Sequence, residues 1–169
     1  LKTGALLAFD FGLRRIGIAV GDWETHLAHP LEVIDAEDND TRFGRIALLI
    51  NEWKPCALVV GLPLSMDGEA HEMTRRAQRF AKQLTGRFSL PVSLVDERLT
   101  SFEADLRLRE AGVKGHTLKG HHPAGSQQSR NRKGLTDTLA AQQILQDFFD
   151  QSQQAIPSES VSTSSVANL

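Results

Sequence analysis

The sequence predicts an α/β fold: a mixed five-stranded sheet, an antiparallel meander followed by two parallel α/β crossovers, flanked by helices. Three observations carry that prediction. Leu6 to Asp22, LLAFDFGLRRIGIAVGD, reads as two β-forming runs joined by a Gly- and Arg-containing turn. Cys56-Ala57-Leu58-Val59-Val60 is a continuous apolar run, the pattern of a parallel strand covered on both faces. Between and after such runs the apolar residues switch to helical spacing.

In the first run Leu7, Phe9 and Phe11 share one face, and Leu6, Ala8 and Asp10 the other. Asp10 is thus a charge inside an apolar strand, which costs several kcal/mol (~3 or more) unless it is paired or binds a metal. In the second strand, Ile16 to Gly21, Ile16, Ile18 and Val20 oppose a bare face of Gly17, Ala19 and Gly21, which lets a backbone or ligand approach. Leu27 to Ile34 reads as a third strand, placed at an edge by Pro30. Asp38-Asn39-Asp40 starts a helix whose stripe is Phe43, Ile46, Ala47, Ile50 and Trp53, closed by Pro55.

After Gly61-Leu62-Pro63, Asp67-Gly68 is expected to open the next helix, with a stripe of Ala70, Met73, Ala77, Phe80, Ala81 and Leu84. Pro91 to Val95 is the last strand and runs into Asp96-Glu97-Arg98. Thr100-Ser101-Phe102-Glu103 is a capping-box signature for a helix ending near Ala111-Gly112. A final helix is expected from about Leu135 to Phe149. Residues 112–134 read as a basic, flexible loop, with Lys114, Lys119, Arg130, Arg132, Lys133 and three histidines, His116, His121 and His122. Residues 151–169 read as a disordered Ser/Gln-rich tail after a domain spanning 1–150.

Composition excludes several classes. A net charge of −2 gives no global pull toward nucleic acid or membrane, so such binding needs a local patch. The single cysteine, Cys56, cannot form a disulfide within the chain and reads as a small buried hydrophobe in a reducing cytosol. No stretch approaches a membrane span and no secretory signal opens the chain, so a cytoplasmic protein is expected. The start at Leu1 rather than Met points to a trimmed or engineered terminus. Trp23, Trp53 and the scattered phenylalanines read as core rather than as a stacking platform.

Three acids stand where a solvated surface would not require them. Asp10 is mid-strand; Asp96 and Glu97 lie at a strand's C-terminal end, where α/β sheets gather ligands. Extended neighbours point to opposite faces, so one of that pair can join Asp10. Asp137 shares a helix face with Ala140, Ala141, Ile144 and Phe148. Singly each has an ordinary role: a helix N-terminal acid for Asp137, a partner of Arg98 for Glu97, a turn acid for Asp10. Together, three converging carboxylates repel one another unless a hard divalent cation, Mg²⁺ or Mn²⁺, joins them. Two such ions about 4 Å apart can activate water and stabilise the leaving oxygen of a phosphodiester.

Asp10-Phe11-Gly12-Leu13-Arg14-Arg15-Ile16-Gly17-Ile18-Ala19 resembles the opening motif of the YqgF family. Val60 to Gly68, Val95 to Ser101 with Glu103-Ala104, and Asp137 to Ala141 with Ile144-Leu145 are similar to its later blocks, in the same order. Between 112 and 134 the chain carries extra His, Gly, Ser and Gln where the family has a shorter basic connection. The resemblance implies an RNase H-like fold related to Holliday-junction resolvases and a nuclease acting on the 5′ end of precursor 16S rRNA. It implies Asp10, Glu97 and Asp137 as catalytic metal ligands, selecting Glu97 over Asp96, with two Mg²⁺ or Mn²⁺ ions. Arg14, Arg15 and Arg98 are the expected phosphate contacts, with Arg132 and Lys133 of the basic loop beside them. Implied partners are precursor rRNA or branched DNA and ribosomal particles, with no membrane, the chain acting as monomer or homodimer. Competing readings are a sugar-kinase-like ATPase, which needs a second such domain, a junction resolvase, and a non-catalytic ribosome-assembly factor.

Overall fold

The structure, a computed structural model, describes residues 2–65, 67–97 and 127–154, without the side chains of 127–133. The elements are β1 (Ala5–Phe11), β2 (Arg15–Asp22), β3 (Leu27–Asp35), α1 (Asn39–Trp53), β4 (Ala57–Leu62), α2 (Glu72–Phe88), β5 (Val92–Asp96) and α3 (Gln127–Gln154). One five-stranded sheet runs β3-β2-β1-β4-β5. β1, β2 and β3 form the antiparallel meander. β4 and β5 add in parallel after their helical crossovers. The expected mixed sheet is present, with β3, the proline-bearing strand, at one edge.

Strand alternation divides the core in two. Leu7, Phe9, Ile16, Ile18, Leu58 and Val60 face α1 and α2, meeting Phe43, Ile46, Leu49, Phe80 and Leu84. Leu6, Ala8, Ala19, Val59 and Val95 face α3, meeting Ala141, Ile144, Leu145 and Phe149. The second face is built from smaller residues, and α3 lies close upon it. A Cβ on Gly17 would collide with the Asp137 carbonyl, and one on Gly21 would stand 2.8 Å from the Phe149 ring. The bare face read from the sequence is the seat of a helix backbone.

α3 also covers part of the β3 edge. The Ala28 N–H donates to Gln146 Oε1 at 3.3 Å, and Gln142 Nε2 donates to the Ala28 carbonyl at 2.8 Å. Edge groups that would otherwise invite a further strand are thereby satisfied. No helix among the described residues is long and apolar enough to cross a membrane.

Several element details differ from the sequence reading. α1 begins where expected, with Asp38 Oδ1 accepting from the Thr41 N–H at 2.8 Å. Its stripe turns one position, however: Leu49 is buried, Ala47 is exposed, and Trp53 keeps 36% of its surface exposed. Arg42 is buried beside them. Its Nε donates to the Ala36 carbonyl at 2.5 Å and its Nη2 to the carbonyls of Gly12, at 2.9 Å, and Leu13. A buried cation among carbonyls fastens the β1–β2 turn to α1, which apolar periodicity cannot reveal.

α2 starts at Glu72 rather than after Gly68, capped by His71, whose Nδ1 accepts from the Met73 N–H at 3.2 Å. Thr74 is buried in place of Ala70 because its hydroxyl accepts from the His71 N–H and donates to the Pro63 carbonyl. Cys56 is exposed, not buried, because it precedes β4 rather than opening it. α3 is longer than expected at both ends: residues 127–134 of the presumed loop and 151–154 of the presumed tail are helical. The rest of that loop, the helix expected from Thr100 and the rest of the tail lie outside the described residues.

Candidate active site

Asp10 is the penultimate residue of β1 and pairs in register with Gly17 of β2. On its other flank β4 runs one step past the Phe9–Val60 pair, which brings Gly61 beside it. The carboxyl group therefore emerges between two glycines, on the face occupied by α3. Each missing side chain makes room for another partner. Above Gly17 passes the Asp137 backbone; above Gly61 sit the Glu97 carboxyl and the Ile144 methyl. Neither glycine is at positive φ, so close approach rather than backbone conformation requires them.

Glu97 follows β5 directly, and its N–H donates to the Leu62 carbonyl at 3.2 Å, continuing the parallel ladder for one residue. Its carboxyl turns inward over Gly61. Asp137 comes from α3, two turns before the buried Ile144 and Leu145. Its Oδ2 accepts from Arg15 Nε at 2.6 Å, an ion pair about three-quarters shielded from solvent.

The electrostatics follow from this crowding. Burial, followed by the charge of Asp137, raises the Asp10 carboxyl to about 6. Burial, followed by the charges of Asp10 and Asp96, raises Glu97 to about 7. The hydrogen bond to Asp137 holds the Arg15 guanidinium above its ordinary value. Negative charge is thus poorly accommodated at Asp10 and Glu97, while at Asp137 it is partnered by a cation.

Among the described residues, no three His, Cys, Asp or Glu side chains gather closely enough to hold one metal ion. Asp10 lies within electrostatic range of both other candidate acids, and Arg15 holds Asp137 on one side. The donor chemistry still suits a hard divalent cation. It consists of carboxylates alone, and burial with neighbouring negative charge raises two of them above the ordinary carboxylate range.

The predicted phosphate contacts separate. Arg15 is at the site, engaged with Asp137. Arg14 points away, with its Nε 3.4 Å from Asp35 and its side chain 66% exposed. Arg98 lies outside the described residues. Arg132 and Lys133 fall in the first turns of α3, their side chains outside the described residues. The Arg15–Asp137 pair spans 122 positions and had no sequence signal. Gly61 had one: a glycine in an otherwise apolar strand marks close approach.

A family model described as RuvX, Holliday junction resolvase, matches residues 4–151. A Methylobacillus flagellatus protein named "Putative pre-16S rRNA nuclease" is 48% identical over 149 residues, covering 88% of this chain and 92% of its own. A Chromobacterium violaceum protein of the same name is 52% identical over 145 residues, covering 86% and 96%. Among solved structures, T. thermophilus RuvC in complex with a Holliday junction substrate aligns with a TM-score of 0.50 at 18% identity, over 90% of this chain and 97% of that one. The latter is a likeness of fold. With the family matched across nearly all of the sheet and helices just described, the chain belongs to the RuvX family.

Proposed function

We propose that this protein is a metal-dependent endonuclease that hydrolyses phosphodiester bonds at the 5′ end of precursor 16S rRNA in the cytoplasm. The observation that carries the reading is the glycine-flanked acidic site, where Asp10 and Glu97 are held above the ordinary carboxylate range. The substrate rests on the relatives' name, at 48% and 52% identity with nearly full coverage.

Asp10 and Glu97 would hold the cation, with Asp137 completing the set through its remaining carboxylate capacity. Mg²⁺ or Mn²⁺, as two ions, would supply Lewis-acid polarisation of the scissile phosphate and activation of the attacking water. Asp10 and Glu97 would have to be deprotonated to hold the cation, so its binding would strengthen as pH rises through about 6 and 7. Gly17 and Gly61 keep the sheet surface bare, so the carboxyls can converge without competing side chains. Arg15 orients Asp137 through their ion pair and presents positive charge where substrate phosphate would lie.

The test compares wild type with Asp10→Asn on precursor rRNA and on a four-way DNA junction, each with Mg²⁺ and Mn²⁺. Metal-dependent cleavage of the rRNA that the variant abolishes supports the reading. Undiminished cleavage by the variant would sink the site assignment, and cleavage of the junction alone would replace the substrate. Binding of precursor rRNA without cleavage under either metal would favour an assembly factor.

A further inference from the structure

We infer that the exposed face of α2 is a second docking surface for the RNA backbone, separate from the acidic site. The inference rests on the RNA reading above.

α2 carries four arginines and one lysine against a single acid, Glu72, in a chain whose net charge is −2. Arg75, Arg79 and Lys82 fall at i, i+4 and i+7, one exposed stripe rising about 10 Å along the axis. Glu72 is consumed at the start of the helix, 2.8 Å from Arg76 Nε and 4.0 Å from Arg75 Nη1. Arg79 and Lys82 have no carboxylate partner among the described residues.

Helix stability does not account for this arrangement. Glu72 pairs with Arg75 and Arg76 at i+3 and i+4, but Arg79 and Lys82, further along the helix, have no such partner among the described residues. Gly86, the next position of the stripe at i+11, is a helix-interior glycine with nothing within 4 Å of an added Cβ. Glycine there weakens the helix without any packing reason. On α1 the charges are mixed instead, and Arg45 is neutralised by Glu32 through two contacts of 2.7 Å. A stripe whose Arg79 and Lys82 lack an acidic partner among the described residues suits a polyanion.

The position suits the same substrate. α2 starts just after β4, tied there by the Thr74 hydroxyl on the Pro63 carbonyl, and β4 ends beside Gly61 under Glu97. The stripe therefore begins at the acidic end of the sheet and leads away from it along the opposite layer. A structured RNA engaged at the site can continue along α2, with its phosphates matched by guanidinium and ammonium groups and no base being read.

The test measures binding of precursor rRNA to full-length Asp10→Asn protein, so that cleavage does not consume the probe, across a salt series. Adding Arg79→Gln with Lys82→Gln is expected to weaken binding roughly tenfold at moderate salt and to lower the salt slope by about 1.5 to 2. Gly86→Glu, which sets an acid in open space on the same stripe, is expected to weaken binding without removing any native contact. Arg45→Gln is expected to leave it unchanged. Unaltered affinity and slope in both α2 variants would overturn this inference alone. So would equal losses in Arg45→Gln, which would show only a general charge effect. Failure of the protein to bind precursor rRNA at all would overturn both this inference and the reading it rests on.

Discussion

The two faces of the sheet are built on opposite rules. Toward α1 and α2 it presents Leu7, Phe9, Ile16, Ile18, Leu58 and Val60, large side chains in a conventional apolar interior. Toward α3 it presents Ala8, Gly17, Ala19, Gly21 and Gly61, with a helix backbone and carboxyl groups in the space that side chains would fill. Both faces come from the same alternating strands. One face maximises buried apolar area; the other gives up area for close approach and carries charge at its end. The larger apolar side chains are concentrated on the first, and the proposed chemistry on the second.

The sharpest way to break this division is at the acids. Asp10→Asn or Glu97→Gln is expected to slow cleavage at least ~10³-fold, about 4 kcal/mol of transition-state stabilisation. Thermal unfolding of the metal-free variants should occur no lower than in wild type, because a costly ionisation is removed. A variant that unfolds many degrees lower would mean that the acid is structural.

Next in size are packing changes. Gly17→Val, forced against the Asp137 carbonyl, should cost about 3 kcal/mol in urea denaturation and abolish cleavage, since α3 must lift. Ile18→Val, the neighbouring residue on the other face, should cost about 1 kcal/mol and leave cleavage intact. Equal effects at the two positions would erase the distinction between the faces.

The pH dependence comes third. Asp10 and Glu97 have folded values raised to about 6 and about 7 from 3.8 and 4.5. The folded state therefore binds their protons more tightly than the unfolded chain does. Their favourable contribution is fully present below the unfolded values and is lost as pH rises from about 4 through about 7. Metal-free wild type should lose stability over that window by on the order of 2 kcal/mol relative to Asp10→Asn. Saturating Mn²⁺ should restore it, and parallel stability curves for the two proteins would argue against a desolvated Asp10.

Arg15→Gln should have the smallest effect on folding, at most about 1 kcal/mol, because the pair with Asp137 is partly exposed. It should nevertheless weaken Mn²⁺ dependence or substrate affinity measurably, since Asp137 loses its orienting partner. Wild-type kinetics in that variant would reduce Arg15 to a surface charge.

Much of this was legible in the sequence, and the illegible part has a common cause. Strand alternation exposed Asp10 as a charge without local justification, and the bare face at Gly17, Ala19 and Gly21 announced a close neighbour. Periodicity placed β1 to β5 and the core stripes of α2 and α3, with Pro30 marking the edge strand. Errors arose where a polar side chain met a distant carbonyl. Thr74 is buried because it reaches Pro63, and Arg42 because it reaches Gly12, Leu13 and Ala36. Such contacts follow no period. The register of the elements and the presence of an acidic site are thus determined by the chain's local pattern of apolar, small and charged residues. That Asp137 lies over Gly17 and pairs with Arg15, while Glu97 lies over Gly61, was decided only by the tertiary structure. Those choices depend on how closely a helix can settle on a sheet face, a property that depends on several strands at once.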